Sequence, residues 1–249
     1  MRGSEASPDE PPAKGDWPPG PPAPPLAPGA VHVWRADLAA GEPLHGLLDE
    51  PERHRAERLL DPRRRALWTR SRGLLRLLLG RYLRCDPRAV ALAQGEHGKP
   101  RLAPGSPDGA GLCFNLSHSD RLALYAFCAS GEIGVDVELA GGRARDEPAI
   151  AARALGAEQA RRLRAIADPD RRQAEFLRAW TRHEAALKCL GTGLVGADGD
   201  PEHRESGRGR PDDGLWITAL DVGPRAAAAL ACARRPRELC RWRWQDPPS

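Results

Sequence analysis

Two short segments of the chain carry residue types that could bind a divalent metal ion and a phosphate ester. In residues 132–139, apolar side chains alternate with Gly134, Asp136 and Glu138. Side chains alternate between the two faces of a strand, so this pattern predicts a strand with its apolar set in the core and both acids on the other face. The two acids would lie about 6.5–7 Å apart, within reach of one hard cation. A half-exposed strand whose acids face water is the alternative.

The second segment places a carboxylate and an ammonium on one helix face. Glu184 and Lys188 are four residues apart in residues 171–190, where apolar residues recur at helical spacing. Such a pair taken alone is usually a surface salt bridge that contributes only about a few tenths of a kcal/mol. A long apolar stripe beside this pair favours a helix held firmly on the core. Three acids and one lysine are therefore expected to converge on one site.

A third segment, residues 114–119, places Ser117 and His118 where a strand is expected to turn. An imidazole there could donate to a phosphate oxygen, and free backbone amides would add to an anion site. A solvated turn is the alternative. A Ser–His hydrolase is disfavoured, since adjacent residues on a turn seldom make the contact between nucleophile and base. Lys99 lies in a Gly-Lys-Pro bend, which alone is a common loop.

Composition limits the class of protein. The 249 residues include 38 basic and 34 acidic side chains, a net charge of +4, so the surface is of mixed charge. Only Lys14, Lys99 and Lys188 are lysines.

The six cysteines show no CxxC spacing, which predicts buried thiols in a reducing compartment. The chain begins without an apolar leader segment, and we expect a cytoplasmic protein. Nucleic-acid binding is disfavoured by the absence of a binding motif and by the 5% aromatic content.

The order of elements predicts an α+β fold. Residues 1–29 are rich in Pro, Gly and Ala and are expected to form a disordered tail whose removal leaves activity intact. An N-terminal lobe at 30–130 and a C-terminal lobe at 131–249 follow, the second with a mobile loop at 196–213. Helices followed by short strands occur in each, which suggests two similar α+β halves packed together. Strands are expected at 31–34, 88–93, 113–116, 122–128, 132–139, 215–220, 226–233 and 239–244, and helices at 47–60, 63–83, 149–164 and 171–190.

The order of the motifs resembles that of the 4′-phosphopantetheinyl transferase superfamily, in particular its large, two-lobed surfactin-synthetase-activating type. The motifs are Gly-Lys-Pro at 98–100, Phe-Asn-Leu-Ser-His-Ser at 114–119, Gly-Val-Asp-Val-Glu at 134–138, Trp-Thr-Arg-His-Glu-Ala-Ala-Leu-Lys at 180–188 and Gly-Thr-Gly-Leu at 191–194. The resemblance covers about residues 31–244. It implies two similar lobes packed as a pseudo-dimer, with the active site between them.

Enzymes of this family move the phosphopantetheine arm of coenzyme A onto a serine of an acyl or peptidyl carrier protein and release adenosine 3′,5′-bisphosphate. The resemblance implies that Asp136, Glu138 and Glu184 hold Mg²⁺, or Mn²⁺, on the coenzyme A pyrophosphate. Glu184 would also take the proton of the carrier serine, and Lys188 would assist the leaving group. The residues implied at the adenosine 3′-phosphate end are Lys99, Ser117 and His118, with Asn115 as support, Arg55 at a basic position of the family and Arg72 as a further candidate.

One departure from the family pattern is His183, where the family usually carries lysine. If this side chain touches substrate, activity could depend on pH near neutrality. The resemblance implies a monomer acting on carriers of polyketide or non-ribosomal peptide synthesis, with no membrane partner. A non-catalytic module that binds coenzyme A or a carrier is the alternative, and an unrelated Mg²⁺ phosphohydrolase is a third hypothesis.

Overall fold

The computed structural model describes residues 17–95, 99–104, 111–141, 146–191 and 214–246. These residues form a mixed α/β fold, as the sequence predicts. The helices are α1 Glu50–Glu57, α2 Pro62–Leu83, α3 Glu147–Ala154, α4 Ala157–Arg164 and α5 Pro169–Leu190. The strands are β1 Ala30–Asp37, β2 Leu92–Gln94, β3 Pro100–Leu102, β4 Cys113–Ser119, β5 Leu122–Cys128, β6 Ile133–Leu139, β7 Trp216–Ala219, β8 Ala226–Cys232 and β9 Glu238–Arg243. None of the described helices combines the length and apolarity needed to cross a bilayer.

Two sheets face each other across one core. The first has the strand order β4-β5-β1-β9 and the second the order β6-β8-β7, while β2 and β3 form a separate hairpin. Apolar side chains of β1 and β5 from the first sheet and of β6 and β8 from the second pack together. On the outer faces, α2 covers the first sheet and α5 packs on β6 and β8. Each long helix thus joins its sheet by an apolar stripe.

The same succession of elements occurs twice along the chain. The strand β1, helix α2 and strands β4 and β5 are followed by β6, α5, β7 and β8 in the same roles. In the first set, β1 pairs antiparallel with β5, and β4 pairs with the other edge of β5. In the second set, β6 pairs antiparallel with β8, and β7 pairs with the other edge of β8. Both long helices have 22 residues and begin with an Asp N-cap followed by Pro, which supplies the first free amides with an acceptor.

The last strand differs from the predicted division of the chain at residue 131. β9 leaves the second half and pairs parallel with β1, so that Val33 lies opposite Arg241 in the first sheet. The predicted C-terminal lobe at 131–249 is therefore wrong for this strand. The physical reason is that β1 would otherwise be an open edge with a row of unpaired backbone groups.

The predicted disordered tail is also wrong from residue 17 onward, whereas residues 1–16 lie outside the described residues. Trp17 is only 3% exposed and packs in the core between the sheets, against Leu220 and Val222. Its indole nitrogen donates to the Asp221 carbonyl at 2.6 Å. Pro18 and Gly20 exchange backbone hydrogen bonds with Arg243 of β9. The buried indole, the partly buried Leu26 and the backbone bonds to β9 together offset the ordering entropy of a segment whose composition otherwise predicts disorder.

Several local predictions have different outcomes: two are wrong, one is confirmed and two lie outside the described residues. The single helix predicted at 149–164 is two helices, separated at Gly156, whose φ of +93° ends the first. The strand predicted at 88–93 is wrong at its start, where residues 88 and 89 belong to a 3₁₀ turn, and only residues 92 and 93 lie in the short β2. Gly191 ends α5 in the left-handed conformation, as predicted. Gly193 and the loop at 196–213 lie outside the described residues.

A buried histidine on β1 should make the stability of the fold depend on pH. His32 is 2% exposed, and burial lowers its pKa to about 4, with Glu238 opposing weakly. Its Nδ1 lies 3.0 Å from the Tyr82 hydroxyl, which accepts a hydrogen bond from the Trp34 indole. The His32 side chain binds a proton near pH 6.5 in the unfolded chain and only near pH 4 in the folded chain. Its contribution to the free energy of unfolding is therefore fully present above about pH 6.5 and is lost as the pH falls toward 4.

The expected loss over this window is about 3 kcal/mol, at a slope of up to about 1.4 kcal/mol per pH unit. Urea unfolding of the wild type and of His32→Gln between pH 4 and 7 measures it. The wild-type curve should fall more steeply than that of His32→Gln, whereas the exposed control His54→Gln should follow the wild type. Parallel wild-type and His32→Gln curves would show that His32 does not carry the pH dependence.

Candidate active site

The alternation predicted for residues 132–139 is present in β6. Ile133, Val135 and Val137 are fully buried in the core between the sheets. Asp136 and Glu138 project from the opposite face, where α5 lies. The apolar face of β6 packs against the other sheet and the acidic face packs against α5, so the strand is covered on both sides. Asp136 therefore lies at the junction of β6 and α5, with its side chain only 6% exposed, rather than facing water.

Gly134 brings α5 close to β6. A Cβ built on this residue would lie 2.1 Å from the Ala185 carbonyl oxygen and 2.4 Å from the Cys189 amide nitrogen, both in the α5 backbone. Real Cβ atoms do not approach backbone this closely, so only glycine permits the contact. The helix backbone fills the space that the missing side chain of Gly134 leaves. This contact sets how near Glu184 and Lys188 lie to the acids of β6.

Replacing Gly134 with alanine is expected to lower the free energy of unfolding by about 1–3 kcal/mol, because α5 must move away from β6. Chemical denaturation measures the loss. Gly46→Ala is the matched control, since a Cβ there meets no atom within 4 Å, and it should change stability by less than about 0.5 kcal/mol. Equal stabilities for the two variants would contradict the close approach of α5 to β6.

Lys188 joins three elements at the centre of the site. Its ammonium donates to Asp136 Oδ1 at 2.6 Å, to Ser117 Oγ at 3.0 Å and to the Val135 carbonyl at 3.4 Å. The Ser117 hydroxyl also donates to Asp136 Oδ1, at 2.8 Å. Helix α5 thereby presents its lysine to the acid of β6 and the serine of β4. The lysine therefore pairs across the fold instead of forming the surface salt bridge with Glu184 that its spacing alone suggests.

Glu184 is a buried carboxylate in a crowded acidic environment. Burial, together with repulsion from Asp136 and Glu138, raises its pKa to about 7 against the opposing effect of Lys188. A carboxyl group with this pKa exchanges a proton near neutrality, which suits a general base. Its Oε1 and Asp136 Oδ2 are buried and have no hydrogen-bond partner within the described part of the chain. Two buried carboxylate oxygens without partners are costly, and a bound cation would satisfy both.

The donor chemistry of these carboxylates fits a hard cation. Carboxylate oxygens are the protein ligands that Mg²⁺ prefers, usually one or two of them together with water and phosphate oxygens. Across the described ranges, no group of three or more His, Cys, Asp or Glu side chains lies close enough to hold a metal ion. Glu138 instead accepts a hydrogen bond from Ser119. The unpaired oxygens of Asp136 and Glu184 are therefore the features that fit an ion.

Strand β4 presents three polar side chains to β6 at alternate positions. Asn115 Oδ1 accepts from the Val135 amide at 2.8 Å, and Ser117 contacts Asp136 as described above. Ser119 Oγ donates to Glu138 Oε2 at 2.9 Å and accepts from the Leu139 amide at 3.1 Å. The three side chains thus support one face of β6, on which the acids lie.

The predicted turn at 117–119 is wrong, because β4 continues to Ser119 and pairs with β5 throughout. The chain turns one residue later, at Asp120, whose φ is +49°. The backbone amides of 117–119 therefore belong to a strand and not to an open turn. Ser119 was not among the predicted site residues. Extending the alternation of Asn115 and Ser117 by one step would have identified it.

Two basic residues, His118 and Arg72, lie on the α2 side of β4. His118 projects from the face of β4 opposite Ser117, and partial removal from water, Lys188 and Arg72 together lower its pKa, so that its ring is mostly uncharged near neutrality. Arg72 of α2 lies with its guanidinium 5.4 Å from the centre of the Trp68 ring. Its Nη1 is buried and lacks a hydrogen-bond partner among the described residues. Lys188 and Arg72 disfavour protonation of His118 because both carry positive charge. The same positive charge would stabilise a bound anion.

Of the other two predicted residues, Lys99 lies at the margin of this site, whereas no contact found among the described residues links Arg55 to it. The Lys99 ammonium donates to the carbonyl oxygens of Lys188 at 2.7 Å and Ile133 at 3.2 Å. In this position it holds the end of α5 against the start of β6, where a cation also complements the helix dipole. Arg55 is an exposed residue of α1, a helix that packs against α2.

The mixed α/β fold and its group of acids, lysine, histidine and arginine define a protein suited to bind a phosphate ester and a divalent cation. A family model described as the 4′-phosphopantetheinyl transferase superfamily matches residues 132–212. This range begins just before β6 and includes all of α5, so it contains Asp136, Glu138, Glu184 and Lys188.

Relatives extend the similarity beyond that range. The chain is 37% identical over 183 residues to the 4′-phosphopantetheinyl transferase HetI of Nostoc sp., covering 72% of this chain and 76% of HetI. It is 37% identical over 128 residues to the 4′-phosphopantetheinyl transferase AcpT of Salmonella typhi, covering 51% and 60%. It is 30% identical over 187 residues to a phosphopantetheinyl transferase of Thraustochytrium sp., covering 67% and 63%. The chain therefore belongs to the 4′-phosphopantetheinyl transferase superfamily and is an enzyme of that class.

Proposed function

We propose that this enzyme transfers the 4′-phosphopantetheine arm of coenzyme A to a serine of an acyl or peptidyl carrier protein. The observation that carries the proposal is the pair of buried carboxylates, Asp136 and Glu184, each with an unpaired oxygen beside Lys188. In the reaction the serine oxygen forms a bond to the phosphorus that carries pantetheine. The bond from that phosphorus to the bridging oxygen breaks, and adenosine 3′,5′-bisphosphate leaves with the electron pair.

Asp136, Glu138 and Glu184 would hold Mg²⁺ or Mn²⁺ at this site. When bound, the ion neutralises the negative charge of the pyrophosphate during displacement. The unpaired oxygens of Asp136 and Glu184 support their assignment as ligands. Glu138 lies on the same face of β6 and would join them only by giving up its hydrogen bond from Ser119 and moving toward the other two carboxylates.

Glu184 is the group proposed to accept the proton of the carrier serine. Without a bound cation, its burial and acidic neighbours raise its pKa to about 7. A cation held by the same acids would lower this pKa and keep Glu184 ionised, the form that accepts a proton. Lys188 would donate hydrogen bonds to the pyrophosphate and stabilise the charge of the leaving group. Its present bonds to Asp136 and Ser117 hold the ammonium beside the proposed reaction centre.

The adenosine 3′-phosphate would bind at His118 and Arg72. Ser117, which lies on the opposite face of β4, would contribute only by exchanging its hydrogen bond to Asp136. The lowered pKa of His118 and the buried, unpaired Nη1 of Arg72 support this position. We include Lys99 and Arg55 as further phosphate ligands and Asn115 as a supporting residue. Lys99 would reach a phosphate only by exchanging its bonds to the backbone carbonyls of α5 and β6.

We further propose that the two sets of repeated elements are similar lobes packed as a pseudo-dimer, of the surfactin-synthetase-activating type. The shared strand order and the two 22-residue helices support this relation. The proposed site takes residues from β4 of the first set and from β6 and α5 of the second, and so lies between them. Because one chain supplies all of these residues, we propose that a monomer is active, on carriers of polyketide or non-ribosomal peptide synthesis.

Nucleotide release tests this function. The enzyme is incubated with coenzyme A and Mg²⁺, with and without an apo carrier protein, and the products are separated by chromatography. Adenosine 3′,5′-bisphosphate should appear only when the carrier is present. Release of inorganic phosphate without a carrier would instead indicate a phosphohydrolase. Binding of coenzyme A with no product on any carrier would indicate a non-catalytic binding module.

A further inference from the structure

Two of the six cysteines face each other across strands β4 and β5. Cys113 is the first residue of β4, Cys128 is the last of β5, and the two are partners in the antiparallel register. Directly opposite residues in such a pair have Cα atoms about 4.5–5.5 Å apart, with side chains on the same face. A disulfide spans Cα separations of about 4.4–6.8 Å. A bond between these two sulfurs is therefore compatible with the existing strand pairing.

The two thiols are chemically unequal. Interaction with the Cys128 sulfur lowers the pKa of Cys113, with Lys99 acting in the same direction and with burial and Glu132 opposing. The same interaction, together with burial, raises the pKa of Cys128, whose thiol donates to the Gly131 carbonyl at 3.5 Å. Of the two, Cys113 therefore ionises more readily to the thiolate, the nucleophilic form. Cys128 stays a thiol beside it, in the position of a resolving cysteine.

Both sulfurs lie within reach of a small oxidant. Cys113 is partly exposed, whereas Cys128 is buried in the core. A cavity of about 490 Å³ borders the buried residue and is lined there by Val31, Gly131 and Glu132. The volume is far larger than a peroxide molecule, so access does not require the sheets to separate.

We propose that Cys113 and Cys128 form a reversible disulfide when the protein meets a hydroperoxide. The Cys113 sulfur attacks one peroxide oxygen, an S–O bond forms, the O–O bond breaks, and water leaves after taking up a proton. The Cys128 sulfur then attacks the sulfenic acid, the S–S bond forms, the S–O bond breaks, and a second water leaves with the Cys128 proton. The two thiols together lose two electrons, and hydrogen peroxide is reduced to two waters.

The remaining cysteines provide an internal comparison. Cys189 and Cys232 are also neighbours, but both are buried, and burial raises their pKa values to about 11 and 12. Both therefore remain protonated and slow to react. Cys85 is exposed at the end of α2, and its replacement serves as the matched control.

Thiol counting on the full chain tests the proposal. The protein is treated with hydrogen peroxide, alkylated under denaturing conditions and weighed by intact-mass spectrometry. Four of the six thiols should be alkylated after mild oxidation and all six after dithiothreitol. Trypsin cleaves after Arg121, between the two cysteines, so the oxidised protein should yield a cross-linked pair of peptides containing Cys113 and Cys128.

Cysteine variants distinguish the Cys113–Cys128 disulfide from oxidation of the other cysteines. Cys113→Ser should abolish the cross-link, whereas Cys85→Ser should form it as the wild type does. Cys128→Ser, if it folds, should accumulate a sulfenic acid at Cys113 that dimedone captures. If Cys128→Ser does not fold, the comparison of Cys113→Ser with the wild type still tests the proposal. The proposal is overturned if all six thiols stay alkylatable at peroxide doses that oxidise free cysteine. It is equally overturned if Cys113→Ser loses two thiols as the wild type does.

Discussion

Replacing Glu184 with glutamine is expected to lower kcat/KM for carrier modification by about 10²–10⁴, the usual contribution of a positioned general base. Glutamine has nearly the same shape but cannot accept the serine proton as a carboxylate does. It also removes one of the carboxylates proposed to hold the metal ion. Burial and two acidic neighbours oppose the charge at this position, so the substitution should not lower the thermal unfolding temperature.

The rate of adenosine 3′,5′-bisphosphate release measures this effect, and thermal unfolding measures stability. Glu175→Gln makes the same change on an exposed part of α5, where the side chain pairs with Arg178, and it should leave the rate unchanged. A Glu184→Gln enzyme with wild-type kcat/KM would exclude Glu184 as the base. A loss of activity accompanied by a large loss of stability would assign the residue a structural role.

Replacing Trp17 with alanine is expected to lower the free energy of unfolding by about 3–5 kcal/mol, the usual cost of removing a large aromatic ring from a core. The ring is 3% exposed and packs between residues of both sheets. Its indole also donates to the Asp221 carbonyl. Deletion of residues 1–28 removes the same ring and should cost at least as much, in contrast to the neutral effect that the composition predicts.

Chemical denaturation measures these losses. Trp17→Phe keeps most of the apolar surface and loses the indole hydrogen bond, so it should cost less than alanine; the lost bond alone is worth about 1 kcal/mol. A stability change below about 0.5 kcal/mol for Trp17→Ala would show that the segment before β1 does not contribute to the core.

The elements with regular periodicity could be predicted from the sequence, and the site follows from two of them. The alternation along residues 132–139 predicts which face of β6 carries Asp136 and Glu138. The helical spacing of α5 predicts that Glu184 and Lys188 share a face. These patterns are local and are imposed by the geometry of a strand and a helix. The approach of α5 to β6 depends on Gly134, a contact between segments about 50 residues apart that no local pattern specifies.

Long-range pairings explain what the sequence did not predict. β9 joins the first sheet beside β1, although more than 100 residues separate them. Trp17 enters the core only because the second half of the chain supplies Leu220 and Val222. The continuation of β4 through Ser119 depends on its pairing with β5. In each case the decisive partner is distant in sequence, and local composition favours another conformation.

Intact-mass spectrometry of an apo carrier protein tests the central claim most directly. Purified acyl and peptidyl carriers are incubated separately with the enzyme, coenzyme A and Mg²⁺, and each is then weighed. We predict that at least one carrier gains the mass of one phosphopantetheine arm on its serine, and that EDTA or Glu184→Gln prevents the gain. A carrier set that stays unmodified, with an enzyme that is folded and binds coenzyme A, would contradict the account.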